Sequence, residues 1–158
     1  VGKVVEDGTW PFPSLQQADS LFLGHEVLSV TSRAKAMLIR FSSGYTMYSH
    51  NQLYGRWTVH LKTTDPKSNR SLRAEFITDK HAVRLWSATD IVLLPTPEEN
   101  GHPFLARLGP DVLDESVSED DLLNHLKSKG IWRKKGATLM LDQRSFAGLG
   151  NYLSLIHI

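Results

Sequence analysis

Cysteine is absent from the 158-residue sequence, and its absence removes several kinds of site at once. Without thiols the chain has no disulfide framework and no thiolate metal site, which is compatible with a reducing compartment. The seven histidines include no pair spaced as metal ligands on one helix. We therefore expect no metal site and no cofactor within this chain. The sequence also lacks a Walker loop, a dinucleotide fingerprint and a Gly-x-Ser-x-Gly elbow.

Long apolar runs are missing too, since none approaches the roughly 20 residues that span a bilayer. We see no secretory leader pattern and expect no membrane partner. The net charge is only +1, which does not by itself indicate a nucleic-acid-binding protein. However, five Lys and Arg side chains fall within residues 127–135. Such a cluster can bind phosphates, although a solvated basic face is the commoner case.

Apolar residues alternate along most of the first hundred positions, which is typical of β-strands. Ser42-Ser43-Gly44 predicts a tight turn between two of them. Residues 15–22 instead show helical spacing and end before Gly24. Short strands separated by turn signals predict an antiparallel β-sandwich. The predicted strands cover 27–30, 36–41, 45–49, 57–61, 72–77, 82–86 and 91–94.

The composition changes near Gly109-Pro110. Ser118 is a suitable N-cap for a helix with an acidic first turn, and a second helix is indicated around residues 139–141. A glycine-rich turn, Ala147-Gly148-Leu149-Gly150-Asn151, follows. The sequence therefore predicts an α+β fold with two domains, a strand-rich one over 1–108 and a small helical one over 109–158.

Two cationic residues and one glycine-rich turn could carry chemistry, although each has an ordinary explanation. Lys35 lies between two predicted strands, where a lysine near apolar surface can act as acid, base or imine-forming amine, but a surface lysine is commoner. Gly150 and Asn151 belong to a turn that could cradle a phosphate or simply connect two helices. Arg107 alone resembles an ordinary exposed arginine.

Gln52, Leu53 and Tyr54 lie between two predicted strands, so apolar side chains are expected at a loop tip. Such a tip suits insertion into a nucleic acid, because an apolar wedge replaces lost base stacking while polar neighbours bond to orphaned base edges. The alternative is an aromatic hairpin whose side chains fold back onto the sheet, and these residues alone favour it.

Blocks of sequence from both predicted domains resemble the endonuclease VIII branch of the formamidopyrimidine-DNA glycosylase family. The resemblance runs from near residue 1 to about residue 153. It is specific because several blocks occur in order with appropriate spacing. The blocks are Arg33-Ala34-Lys35-Ala36-Met37-Leu38, Tyr48-Ser49-His50-Asn51-Gln52-Leu53-Tyr54-Gly55, Gly109-Pro110-Asp111-Val112-Leu113, and Leu141-Asp142-Gln143 with Ala147-Gly148-Leu149-Gly150-Asn151-Tyr152.

The resemblance implies an N-terminal β-sandwich and a helix–two-turn–helix module, here truncated, followed in the family by a zinc finger. It also implies a bacterial, cytoplasmic, nucleoid-associated and monomeric enzyme that binds bent, damaged double-stranded DNA. Such enzymes excise oxidised pyrimidines and cleave the strand by β,δ-elimination. By resemblance, Lys35 supports the lyase step, and residues 52–54 form the wedge that fills the vacated stack. Arg107 contacts the DNA, and the turn at Gly150 and Asn151 binds a phosphate.

The sequence departs from the family pattern at both ends. The family nucleophile is an N-terminal proline, whereas Val1-Gly2-Lys3 resembles the end of the family's first helix. The zinc finger has no counterpart, residues 154–158 do not continue the family's helix, and Ala34 replaces a usual glycine. We therefore expect these 158 residues to be inactive by themselves, because no secondary amine can attack the sugar.

Three other functions remain open at this stage. One is a purine-acting enzyme of the same family, another is a non-catalytic module that binds bent or gapped DNA, and the third is an unrelated sandwich that binds no nucleic acid.

Overall fold

A computed structural model describes residues 1–128 and 130–150 of the chain. These residues form two compact units. The first contains residues 1–32 and 36–99, and the second contains residues 33–35 together with the described residues from Asn100 onward. The domain boundary after residue 108 stays a prediction.

The first unit is built from two antiparallel sheets, with strand orders β1-β3-β4-β5-β9 and β2-β7-β8-β6. Its strands are β1 (Lys3–Val4), β2 (Asp7–Thr9), β3 (Glu26–Arg33), β4 (Ala36–Phe41), β5 (Tyr45–His50), β6 (Arg56–Leu61), β7 (Leu72–Ile77), β8 (His81–Trp86) and β9 (Asp90–Pro95). Strands β3 to β9 lie where the alternating pattern predicts them. The α+β class and the antiparallel sheets are therefore confirmed.

The turn between β4 and β5 shows how the local sequence sets the strand pairing. Gly44 has φ +83° and its N–H donates to the carbonyl of Phe41 at 3.1 Å. Glycine adopts this left-handed conformation without the steric cost of a Cβ. The two strands then pair in register, with Leu38 opposite Tyr48.

The core lies between the two sheets and is dominated by aromatic rings. Phe41 of β4 and Phe76 of β7 have centroids 5.7 Å apart, and Phe22 packs 5.0 Å from Phe41 and 5.2 Å from Phe76. Trp10 closes the group at 5.0 Å from Phe22. Tilted and edge-on rings at these distances pack favourably and bury much apolar area. This packing makes the first unit a β-sandwich.

The N-terminal segment differs from the sequence-based expectation. Lys3 lies in β1 and pairs with Val27, so the prediction that residues 1–3 end a helix is wrong for Lys3. Residues 15–22 form a 3-10 turn (Pro13–Leu15) and a four-residue helix, α1 (Asp19–Phe22), in place of one continuous helix. Gln17 has φ +71°, which interrupts the helical path between them.

The second unit contains short helices. They are the 3-10 turns Leu105–Arg107 and Ile131–Arg133, with the helices α2 (Glu119–Ser128) and α3 (Gly136–Leu141). Ser118 caps α2 as predicted, since its Oγ accepts from the N–H of Asp121 at 3.2 Å and the Asp121 carboxylate accepts from the N–H of Ser118 at 3.0 Å. This reciprocal pairing satisfies backbone donors at the helix start. In the described ranges, no helix has the length and apolar character that crossing a bilayer requires.

Candidate nucleic-acid interface

The loop between β5 and β6, residues 51–55, is called the tip here. Leu53 is 87% exposed and Tyr54 is 69% exposed, so neither side chain folds back onto the sheet. The alternative of an inward-folded aromatic hairpin is therefore wrong. Isolated exposed apolar side chains are common, but two adjacent ones at the end of a hairpin form a projecting apolar surface.

The tip has a defined backbone shape. The N–H of Gly55 donates to the carbonyl of Asn51 at 2.7 Å and closes the turn. A Cβ on Gly55 would lie 2.5 Å from both the Cα and the carbonyl oxygen of Asn51, so only glycine fits there. Arg70 reaches across and donates from Nη1 to the carbonyl of Tyr54 at 2.5 Å.

Gln52 is oriented by contacts on both its backbone and its side chain. Its φ is +51°, and its N–H donates to Nδ1 of His50 at 3.1 Å. The hydroxyl of Thr89 donates to Oε1 of Gln52 at 2.5 Å. The amide nitrogen of Gln52 makes no hydrogen bond to any described residue, so it remains available as a donor to a ligand. Neither Thr89 nor Arg70 carries a local sequence signal for this role.

Lys35 and the described part of the glycine-rich turn, residues 147–150, come together in the second unit. A Cβ placed on Gly150 would lie 3.2 Å from both Cε and Nζ of Lys35, so a side chain at residue 150 would displace the ammonium group. Arg33 fixes the neighbouring segment, because its Nη1 donates to Oδ1 of Asn100 at 2.5 Å. Ala34 has φ +55° in this connection. The structure thus places the Lys35 ammonium next to Gly150 of the glycine-rich turn.

Gln143 fixes the glycine-rich turn from inside. Its Oε1 accepts from the N–H of Gly148 at 3.0 Å, and its Nε2 donates to the carbonyl of Leu149 at 2.6 Å. Gly148 has φ +86°, which favours glycine. The N–H of Ala147 donates to the carbonyl of Pro110 at 2.9 Å. Gln143 belongs to a block that carries the family resemblance, but its supporting role was not predicted.

Arg107 and Asn151 are the remaining predicted site residues. Arg107 ends a 3-10 turn, is exposed, and donates from Nε to the carbonyl of Pro103 at 2.7 Å. Asn151 lies outside the described residues, so its role stays a prediction. The roles of Lys35, Arg107, Gly150 and residues 52–54 likewise stay predictions, although their positions are now known.

The described residues offer no metal centre, since they bring together no group of three or more His, Asp or Glu able to hold an ion. They therefore do not fit the zinc that the resemblance implies for the family. The expectation about cofactors stays a prediction.

The chain is similar to curated proteins that are longer than it is. The chain is 43% identical over 152 residues to Endonuclease 8 of Klebsiella pneumoniae strain 342, and 42% identical over 152 residues to that of Escherichia coli O17:K52:H18. Each match covers 96% of this chain and 58% of the relative. The chain thus spans a little under three fifths of the length of these curated relatives. No family model matches it.

Solved structures show the same fold. A Lactococcus lactis formamidopyrimidine-DNA glycosylase bound to DNA with an abasic site aligns with a TM-score of 0.78 at 17% identity, covering 97% of this chain and 60% of that one. The same enzyme with DNA containing an oxidised pyrimidine aligns with a TM-score of 0.79 at 16% identity, covering 98% and 59%. The fold is therefore shared with these enzymes, and almost the whole chain is similar in sequence to the Endonuclease 8 relatives.

Proposed function

We propose that this chain is part of a bifunctional DNA glycosylase and AP lyase that acts in base-excision DNA repair, and that the 158 residues are inactive by themselves. The substrate of that enzyme is damaged double-stranded DNA, from which it removes oxidised pyrimidines before cleaving the strand by β,δ-elimination. It works as a monomer in the bacterial cytoplasm, on nucleoid DNA. The observation that carries the proposal is the exposure of Leu53 and Tyr54 on an anchored tip.

The tip suits an enzyme that removes a base from the stack. Flipping a nucleotide costs a few kcal/mol of stacking and pairing, and an inserted apolar side chain recovers part of that cost. Leu53 and Tyr54 supply apolar and aromatic surface, while the amide nitrogen of Gln52 can donate to the base left without a partner. Thr89 and Arg70 keep the tip in shape for this insertion.

Lys35 and the glycine-rich turn suit the DNA strand beside the lesion. The Lys35 ammonium can neutralise a phosphate and can exchange a proton during the lyase step. The backbone of the turn at Gly150, together with Asn151, binds a neighbouring phosphate. Arg107 adds a further cationic contact to the DNA. Similarity to the Endonuclease 8 relatives supports these roles.

Leu53→Ala tests the proposal directly. We expect affinity for duplex DNA with an abasic site to fall by about tenfold, because loss of one stacking contact costs roughly 1–3 kcal/mol. Affinity for the undamaged duplex should change little, since no nucleotide is extruded there. Fluorescence anisotropy with the two duplexes measures the ratio of the affinity for abasic DNA to the affinity for undamaged DNA.

Leu61→Ala is the matched control, because Leu61 is 59% exposed on β6 of the same unit but lies outside the tip. It should leave both affinities unchanged. An unaltered ratio for Leu53→Ala would contradict the proposal and favour a surface that does not insert into DNA.

Lesion choice and chemistry need separate assays. Excision of thymine glycol in preference to 8-oxoguanine, by a chain extended to the length of its relatives, would support pyrimidine repair over purine repair. Borohydride trapping on abasic DNA with the 158 residues tests the expected inactivity, and an efficient covalent adduct would refute it.

A further inference from the structure

A cleft of about 380 Å³ in the second unit is lined by cationic side chains that the proposed wedge and turn do not use. Arg107, Lys134 and Arg144 contribute the charge, and the half-buried His125 and the buried Ile131 form part of the wall. This group is called the basic cleft. A smaller depression, also lined by Arg107 and Arg144, lies next to Phe104 and Gln143.

Asp142 holds two of these cations in place. Its carboxylate accepts from Lys134 Nζ at 2.5 Å, and from Nε and Nη2 of Arg144 at 3.0 and 3.2 Å. Asp142 itself does not line the cleft. Three cations with one carboxylate leave a net positive charge, so the basic cleft favours anions.

The cations of the basic cleft keep hydrogen-bond donors to spare. Lys134 uses one of the three ammonium donors on Asp142, and Arg107 uses only Nε, on Pro103. Among the described residues, neither Nη group of Arg107 nor Nη1 of Arg144 makes a hydrogen bond. Nε2 of His125 donates to the carbonyl of Arg144 at 2.9 Å, which ties α2 to this wall. Converging unused donors on cationic groups are what phosphate oxygens require.

We propose that the basic cleft binds a phosphate group, and that in the DNA complex it binds a backbone phosphate irrespective of sequence or damage. The second half of this statement rests on the proposed function. Asp142 acts as a positioning residue, because it orients Lys134 and Arg144 without lining the cleft.

The double variant Lys134→Gln/Arg144→Gln tests the proposal in the 158-residue chain. Glutamine removes each charge but can still donate to Asp142, which limits the effect on folding. We expect affinity for damaged and undamaged duplexes to fall equally, by about tenfold at low salt. The slope of log affinity against log salt should become shallower by about 1.

Arg133→Gln is the matched control. It removes one positive charge next to Lys134, but Arg133 is exposed, its guanidinium carbon lies 5.3 Å from the Trp132 ring centroid, and it does not line the basic cleft. The slope of this single variant should stay close to that of the parent. A double variant with an unchanged slope would overturn the DNA half of the proposal.

Inorganic phosphate separates the two possible sources of the ligand. Titration followed by the NMR signals of arginine side-chain N–H groups should shift those of Arg107 and Arg144 but leave Arg133 unmoved. Phosphate binding with an unchanged DNA slope would show a site for free phosphate only, whereas no shift and no slope change would overturn the whole proposal. If Leu53→Ala leaves damage discrimination intact while the double variant lowers the slope, the basic cleft stands and the proposed function fails.

Discussion

Several non-glycine residues have positive φ angles, and two of them lie in segments of the candidate interface. Ala34, Gln52 and Ser87 all adopt positive φ, although none is glycine. Such conformations cost an L-residue roughly 1–2 kcal/mol and persist only where neighbouring contacts enforce them. Gln52 is fixed by Thr89 and His50, next to the apolar pair that the proposal places in DNA. Strain at Gln52 is therefore consistent with a preformed wedge.

Ala34 provides a test at the residue scale. Ala34→Gly should raise the free energy of unfolding by about 0.5–1 kcal/mol, because relief of the left-handed strain exceeds the added freedom of the unfolded chain. Urea unfolding measures this change.

Ala36→Gly is the contrasting control for that measurement. Ala36 is 2% exposed within β4, so its loss should lower stability by about 1 kcal/mol. A fall in stability for Ala34→Gly as well would show that the turn gains nothing from glycine.

The sequence predicts single site residues unevenly. Leu53 and Tyr54 stand out because large apolar residues are unusual between two strands and next to Gly55. Thr89 could not be found in this way, since it meets Gln52 only through the fold, 37 positions later. Lys134 belongs to the basic run 127–135, for which a solvated face is the commoner interpretation, and Arg144 lies outside that run.

At the scale of elements, a two-pronged ion pair joins β4 to the 3-10 turn Thr96–Gly101, which follows β9. Arg40 donates from Nε and Nη2 to the two carboxylate oxygens of Glu99, at 2.9 and 2.6 Å. Its Nη1 donates to Thr31 Oγ1 at 2.9 Å, and Thr46 donates to Glu99 at 3.2 Å. A two-pronged contact of this kind fixes orientation as well as distance.

This ion pair gives a prediction about unfolding. Arg40→Met should lower the free energy of unfolding by about 3 kcal/mol, because the Glu99 carboxylate would stay largely buried without its cation. The double variant Arg40→Met/Glu99→Leu should lose clearly less, since neither charge remains. Urea unfolding of the single and double variants measures the coupling.

Lys3→Met serves as the control, because Lys3 and Asp79 form an exposed ion pair whose loss should barely alter stability. Equal losses for the single variant Arg40→Met and the double variant would contradict the buried-pair interpretation.

Elements with a clear period were predictable, and those without one were not. Strands β3 to β9 have alternating residues and turn signals at their ends. Strands β1 and β2 have two and three residues, too few for any period to show. Residues 15–22 carried helical spacing, yet burial of Leu15, Ala18 and Phe22 is achieved with a break at Gln17. Tertiary packing therefore overrode local propensity.

At the scale of the whole molecule, hydrogen-bond partners lower the pKa of several carboxylates among the described residues. Hydrogen bonds from Arg144, then from Lys134, hold the pKa of Asp142 well below its usual range. Lys3 lowers the pKa of Asp79, and Ser118 lowers that of Asp121. Each folded-state pKa lies below its unfolded value, so the carboxylates stabilise the fold above that unfolded value.

Stability should therefore fall as the pH drops below about 4, the ordinary pKa of aspartate in an unfolded chain. Asp142→Asn should make the fall in unfolding free energy between pH 6 and 2.5 less steep. The reason is that the Asp142 carboxyl, whose pKa is well below its usual range, no longer titrates. Urea unfolding between pH 6 and 2.5 measures the effect.

Asp65→Asn is the matched control, since the exposed Asp65 carboxylate makes no ion pair with any described residue. It should keep the slope of the parent chain. If Asp142→Asn leaves the pH dependence of the unfolding free energy unaltered, protonation of this carboxylate is not linked to folding.

Gln143 has one further consequence for the chain as a whole. Hydrolysis of its side-chain amide to a carboxylate would keep the acceptor for Gly148 but set a negative oxygen against the carbonyl of Leu149. Repulsion between these two oxygens would then distort the glycine-rich turn next to Lys35, through replacement of a single nitrogen atom by oxygen. Deamidation of this one side chain would therefore be enough to weaken the phosphate contact proposed for the turn.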